Sequence, residues 1–223
     1  MPPVFLVVFV AAVLSATGAW AQALKGRYYV VVWGYQGEPN HPEDSHTFVT
    51  FYRGDDLARG ANDPLTISWL PATRVIRAGR VERGRNFSLG ETLRIARSRG
   101  YEVRAYGPYA INGELYRRAS ERVRALNLGR WKYTMINGPE GAMNCIAAAG
   151  ELGGPIFTGF NYGYSASLDV VNHLSHWMPE GPRVVTHAAT ILAIDAIVER
   201  TRTSAPQRDS PLPDMPAADV GLP

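Results

Sequence analysis

Hydrophobic and polar positions change period several times along the chain, and each change predicts an element. Tyr28–Trp33 (YYVVVW) is a run of aromatic and β-branched residues, His46–Tyr52 (HTFVTFY) alternates, and Leu65–Leu70 (LTISWL) is a third such run. Gly, Pro, Asn or Asp bounds each run, so the three read as strands close enough in sequence to pair antiparallel. Ser88-Leu89-Gly90-Glu91 has capping-box spacing and opens a helix to about Arg99, with Gly100 where the residue after a helix end would sit. Glu102–Tyr106 reads as a fourth strand. Asn112 caps a longer helix with Leu115, Ala119, Val123 and Leu126 on one stripe, stopping before Gly129. A short helix after Gly141 carries Asn144-Cys145-Ile146-Ala147-Ala148-Ala149 to about Leu152. Another starts at Ser165 or Ser167 and runs to Trp177, and the last runs from Thr186 to near Arg202. The predicted class is α+β, a small antiparallel sheet packed with about five helices.

The two ends stand outside this pattern. Residues 1–21 hold an uncharged apolar run from Val4 to Leu14 and then Ala19-Trp20-Ala21, the small-residue pattern of a secretory signal peptide. The run is shorter than the roughly 20 residues that cross a bilayer, which favours a cleaved signal and a periplasmic or secreted protein. With no Lys or Arg before the run, an uncleaved anchor is the alternative. Residues 203–223 contain five prolines in 21 residues and few branched apolar side chains, so they read as a disordered tail. One globular domain, 24–202, is left between them.

Composition adds exclusions. The chain has 223 residues and one cysteine, Cys145, which rules out an internal disulfide or a multi-thiolate metal cage. Net charge is only +3, but Thr73–Lys132 holds 15 Lys or Arg against 5 Asp or Glu. Nearly all are arginine, suited to bidentate contact with phosphate or carboxylate. For an exported protein the matching partners are phospholipid headgroups, lipopolysaccharide or cell-wall polymers rather than nucleic acid.

The sharpest chemical feature is Cys145. A cysteine in the first turn of a helix meets free backbone N–H groups and the positive end of the dipole, both of which favour thiolate. The plain alternative is a small buried hydrophobe among alanines. A thiol nucleophile needs a base, and His46 opens an alternating strand with Phe48, Thr50 and Tyr52 on its own face, where a ring is held rigidly.

This pairing carries a resemblance. A histidine on an early strand, followed much later by Tyr133 and by Asn144-Cys145 at a helix start, resembles the circularly permuted papain-like thiol enzymes, the group of lecithin:retinol acyltransferase-like proteins. His46-Thr47-Phe48-Val49-Thr50-Phe51, Ile67-Ser68-Trp69-Leu70-Pro71, Tyr106-Gly107-Pro108-Tyr109 and Asn144-Cys145-Ile146 are similar to segments of a family of uncharacterised bacterial exported proteins. That second resemblance covers most of the domain and implies no activity. The first implies a permuted papain-like fold, Cys145 attacking an ester or amide carbonyl, and His46 taking its proton. Its pattern has a histidine two residues after the cysteine, where this chain has Ala147. Candidates for the third residue that orients His46 are Ser68, on the strand after it, and Asn144, beside the nucleophile.

A metal site is a weaker candidate. Asp169, His173 and His176 fall at i, i+4 and i+7 on one predicted helix, but the apolar residues around them explain an ordinary amphipathic helix. No cofactor is called for. Aromatic residues such as Tyr106, Tyr109, Tyr162 and Tyr164 would line a groove or fill a core, and the glycine-rich Gly153–Tyr164 would form a wall of the site. Two readings therefore stand: an exported thiol hydrolase or acyltransferase acting on a small-molecule, lipid or cell-wall substrate, and a non-catalytic exported domain binding an anionic envelope component through its arginines.

Overall fold

The computed structural model describes residues 22, 24–60, 63–136, 140–156, 161–186 and 188–203. The apolar leader and, beyond Thr203, the proline-rich tail lie outside the described residues. So do His187 and the 157–160 part of the glycine-rich stretch.

Strand β1 (Tyr28–Gln36) pairs antiparallel with β2 (Ser45–Arg53) on one side and β6 (Glu102–Ile111) on the other, and β2 pairs with β3 (Leu65–Ile67). The resulting order is β3-β2-β1-β6. Nearly every residue of β1 and β2 is buried, on both faces of the sheet. Val30, Val32, Val49 and Phe51 face one core, while Tyr29, Val31, Trp33 and Phe48 face a second. Period-2 alternation is therefore present but carries no polar face, because helices cover both sides.

The first core takes α3 (Gly113–Asn127), α4 (Cys145–Gly150) and α5 (Gly163–Leu174). The second takes α1 (Gly54–Ala58), α2 (Leu89–Ser98) and α6 (Ala188–Thr203). Helix α2 starts with the full capping box, the Ser88 side chain accepting from Glu91 N and the Glu91 side chain accepting from Ser88 N. Gly100 follows it at φ +70, the left-handed conformation that a helix-ending glycine supplies without strain. Asn112 caps α3 by accepting from Leu115 N at 3.0 Å.

The predicted α+β class stands, and several of its boundaries do not. Leu65–Leu70 is not one strand. It breaks at Ser68 into β3 and β4 (Trp69–Pro71), and β4 enters a second sheet of order β4-β5-β7-β8 with β5 (Val81–Asn86), β7 (Lys132–Thr134) and β8 (Ala142–Met143). The Asn86 side chain causes the break by substituting for a ladder partner. Its Oδ1 accepts from Ser68 N at 2.8 Å and its Nδ2 donates to Thr66 O at 2.9 Å. β7 and β8 run parallel, so the sheets are not purely antiparallel. The first strand runs on to Gln36 and the fourth to Ile111, the two pairing with each other from Gln36 opposite Glu102 to Tyr28 opposite Ile111. The helix predicted to reach Trp177 ends at Leu174, and a 3₁₀ turn, Ser175–Trp177, follows. A sixth α-helix, α1, was not anticipated. Among the described residues no helix is long and apolar enough to cross a membrane.

Candidate functional site

His46 sits on β2 facing the second core, 1% exposed, between the Tyr35 ring at 5.2 Å and the Phe48 ring stacked at 5.5 Å. Burial among these rings penalises the imidazolium and pulls the His46 pKa down to about 3. The ring is therefore neutral at pH 7, and one nitrogen carries a proton while the other carries a lone pair.

Ser68 is the polar partner of that ring. His46 Nε2 lies 2.9 Å from Ser68 Oγ. Ser68 Oγ lies 2.7 Å from Thr92 Oγ1, which in turn lies 2.8 Å from the Ser88 carbonyl oxygen. Thr92 Oγ1 donates to Ser68 Oγ, so the Ser68 hydroxyl can either donate to Nε2 or accept from it, according to the ring tautomer. His46 Nδ1 is buried and has no hydrogen-bond partner among the described residues.

Cys145 begins α4 because Asn144 caps it, its Oδ1 accepting from Ala147 N at 2.7 Å while its Nδ2 donates to Met135 O at 3.4 Å. The backbone N–H groups of Thr47, Cys145 and Ile146 lie near enough to the Cys145 sulfur to favour its thiolate. The first of these comes from the residue directly after His46. It is open to the sulfur because β3 pairs with β2 only from Val49 to Phe51, leaving the His46–Thr47 stretch of that edge without a strand. All three donors favour thiolate, but the thiol is only 8% exposed and burial outweighs them, pushing its pKa up to about 11. The Tyr35 and Tyr133 phenols are near enough to the sulfur for its charge to raise their pKa, though burial is the larger cause in both.

The structure thus brings Cys145, His46 and Ser68 to one edge of β2, with Tyr133 beside them. The sulfur faces the Thr47 N–H, and among the described residues no hydrogen bond joins it to the His46 ring, so the thiol–imidazole contact expected of the pair is not made. Asn144 is engaged as a helix cap, which leaves Ser68 as the residue that bonds His46. Thr92, Thr47 and Tyr35 were missed. Thr92 was the most accessible of them from sequence, since it stands four residues after the Ser88 cap, where a threonine hydroxyl reaches back to a carbonyl.

Asp169, His173 and His176 do not converge. Asp169 accepts from Asn161 Nδ2 at 2.7 Å, His173 Nε2 lies 3.1 Å from Gly154 O, and His176 stands on the 3₁₀ turn, which takes it off the face of α5. Among the described residues no three His, Cys, Asp or Glu side chains are grouped to hold a metal ion.

No protein-family model, no curated protein and no solved structure matches this chain.

Proposed function

We propose that this chain is an exported thiol hydrolase or acyltransferase of the circularly permuted papain-like kind. Cys145 is its nucleophile, His46 its base, and Ser68 the residue that orients the base. The observation that carries the reading is the buried His46 Nδ1, without a hydrogen-bond partner among the described residues, on the strand whose next N–H faces the Cys145 sulfur. With Nε2 turned to Ser68, an Nδ1 lone pair would be the base that takes the thiol proton once ring and sulfur meet.

Both groups are neutral in this state, so the proton moves during reaction and not beforehand. His46 Nδ1 takes the S–H proton as sulfur bonds to the carbonyl carbon of an ester or amide. The developing oxyanion is met by backbone N–H groups that already surround the sulfur, those of Cys145 and Thr47. Collapse breaks the C–O or C–N bond, and the leaving group departs with the proton from Nδ1. Water or an acceptor alcohol then attacks the thioester, with Nδ1 taking its proton and returning one to sulfur.

The test is a burst assay of the full chain with p-nitrophenyl acetate, followed by peptide mass analysis. The expected result is one acetyl group per chain, on Cys145, absent in Cys145→Ser and slowed at least about a hundredfold in His46→Ala, the range of general-base contributions. Cys145→Ser preserves the core volume, so its loss of acetylation with unchanged melting reports chemistry and not folding. A wild-type chain that melts cooperatively yet leaves Cys145 unacetylated overturns this reading and leaves the non-catalytic, anion-binding one.

A further inference from the structure

The second sheet presents a surface of a different character. Strands β5 and β7 pair so that Arg83 stands directly opposite Lys132 and Val81 opposite Thr134. Glu82 and Tyr133 point the other way, and Tyr133 belongs to the core. Arg83 and Lys132 are both exposed, and among the described residues no carboxylate pairs with either. Like charges directly opposite on a sheet repel, so this cross-strand pair costs stability in the isolated chain. Nearby arginines are treated otherwise, Arg77 being paired with Glu82 and Arg85 with Glu91.

Apolar side chains stand exposed beside the two cations. Val81 is 44% exposed, Val75 in the loop before β5 43%, and Ile136 just after β7 62%. The pairing of Ala72 N with Arg83 O folds that loop back along β5, so Val75 and the exposed Arg80 share the end of the sheet at which Val81 and Ile136 stand. A soluble polyanion would satisfy the cations and leave these side chains in water. A bilayer with anionic headgroups takes both, phosphates pairing with the cations while the aliphatic tips enter the interface.

We propose that the outward face of β5 and β7, with the loop before β5, docks on an anionic lipid surface through Arg80, Arg83 and Lys132 and through Val75, Val81 and Ile136. The cross-strand repulsion is relieved when phosphate sits between Arg83 and Lys132. This surface uses none of the residues assigned to the thiol chemistry, so it stands whether or not Cys145 is a nucleophile.

The test is co-sedimentation of the full chain with vesicles of phosphatidylcholine alone and of equimolar phosphatidylcholine and phosphatidylglycerol. The apolar leader would bind both kinds, so the readout is the difference between them. The expected result is preferential binding to the anionic vesicles, weakened about tenfold or more by Arg83→Gln with Lys132→Gln and kept by Lys132→Arg. Val81→Ser with Ile136→Ser weakens it about fivefold or more, by removing apolar contact with the interface. All four positions have exposed or half-exposed side chains, so an unchanged melting temperature separates binding from folding. Equal binding to both vesicles overturns the proposal. So does anionic binding that the serine pair leaves untouched, since that pattern belongs to a soluble polyanion.

Discussion

His46 Nε2 lies 2.9 Å from Ser68 Oγ, and this bond joins a central strand of the first sheet to the single residue at which the chain crosses into the second. Asn86 takes the Ser68 N–H while the Ser68 carbonyl accepts from Phe87 N at 2.9 Å, and the Ser68 hydroxyl accepts from Thr92 in α2. The ring is thus held from three elements, β2, the β3–β4 break and α2. The thiol arrives separately, along the open edge of β2, on a short helix cut to start at Cys145 by the Asn144 cap.

The proposed role of His46 as base requires its ring proton on Nε2 and a free lone pair on Nδ1. Nitrogen-15 NMR of the His46 ring is expected to show a protonated Nε2 and an unprotonated Nδ1 at pH 7. Ser68→Ala strands a buried N–H and is expected to cost about 1–3 kcal/mol and slow acetylation, while Ser68→Thr keeps an acceptor and restores most of both. A protonated Nδ1 in the wild-type chain would remove His46 as the base.

Stability should fall as pH falls, through the same ring. In the unfolded chain His46 titrates near 6.5, and in the folded chain burial holds it down to about 3. Below pH 6.5 the unfolded state takes the proton first, so the folded state loses stability progressively until pH reaches about 3. The full effect is about 5 kcal/mol. Between pH 6.5 and about 4.5 most carboxylates stay ionised in both states, which makes that window the one to measure by urea titration. His46→Gln is expected to flatten the slope there. An unchanged slope would mean that the ring is not buried as described.

Much of this was legible in the sequence, and the losses have physical causes. Capping chemistry is local, so Ser88 and Asn112 announced two helix starts correctly. The alternation from His46 to Tyr52 was read as a strand and is one, but alternation does not say that both faces are covered. Strands β5, β7 and β8 were missed because VERGRN, KYT and AM are too polar or too short to carry a pattern. The break at Ser68 depends on Asn86, a contact across 18 residues that no local rule reveals. Ser68 was named as an orienting candidate from topology alone, and its bond to His46 is present. Asn144 was named from adjacency to the nucleophile, and its side chain serves the helix instead.

Alkylation of Cys145 should follow a buried neutral thiol. With the pKa pushed up to about 11, the iodoacetamide rate is expected to rise about tenfold per pH unit from 7 to 10 without a plateau. His46→Ala is expected to leave this profile in place, because no thiolate–imidazolium pair exists in the resting state to be lost. A plateau below pH 8 would mean a preformed ion pair and a resting contact between sulfur and ring. Acetylation by an ester is the separate measurement, since it requires proton transfer only as the bond forms.

Gly84 connects the second sheet to the thiol through one indole. A Cβ at Gly84 would lie 2.0 Å from Trp69 Cζ2, and Trp69 is fully buried with no room to retreat. Its Nε1 donates to Met143 O at 3.2 Å, one residue before the Asn144 cap and two before Cys145. Gly84→Ala therefore displaces the indole, and with it the Met143 carbonyl that directly precedes the Asn144 cap of α4. The expected cost is about 1–3 kcal/mol, the range for overpacking a filled core, seen as a melting temperature lower by several degrees. Acetylation of Cys145 is expected to slow beyond what partial unfolding explains, because the thiol shifts relative to the Thr47 N–H and His46. A variant that melts several degrees lower yet acetylates at the wild-type rate would separate the indole from the site and leave Asn144 alone as the anchor of Cys145.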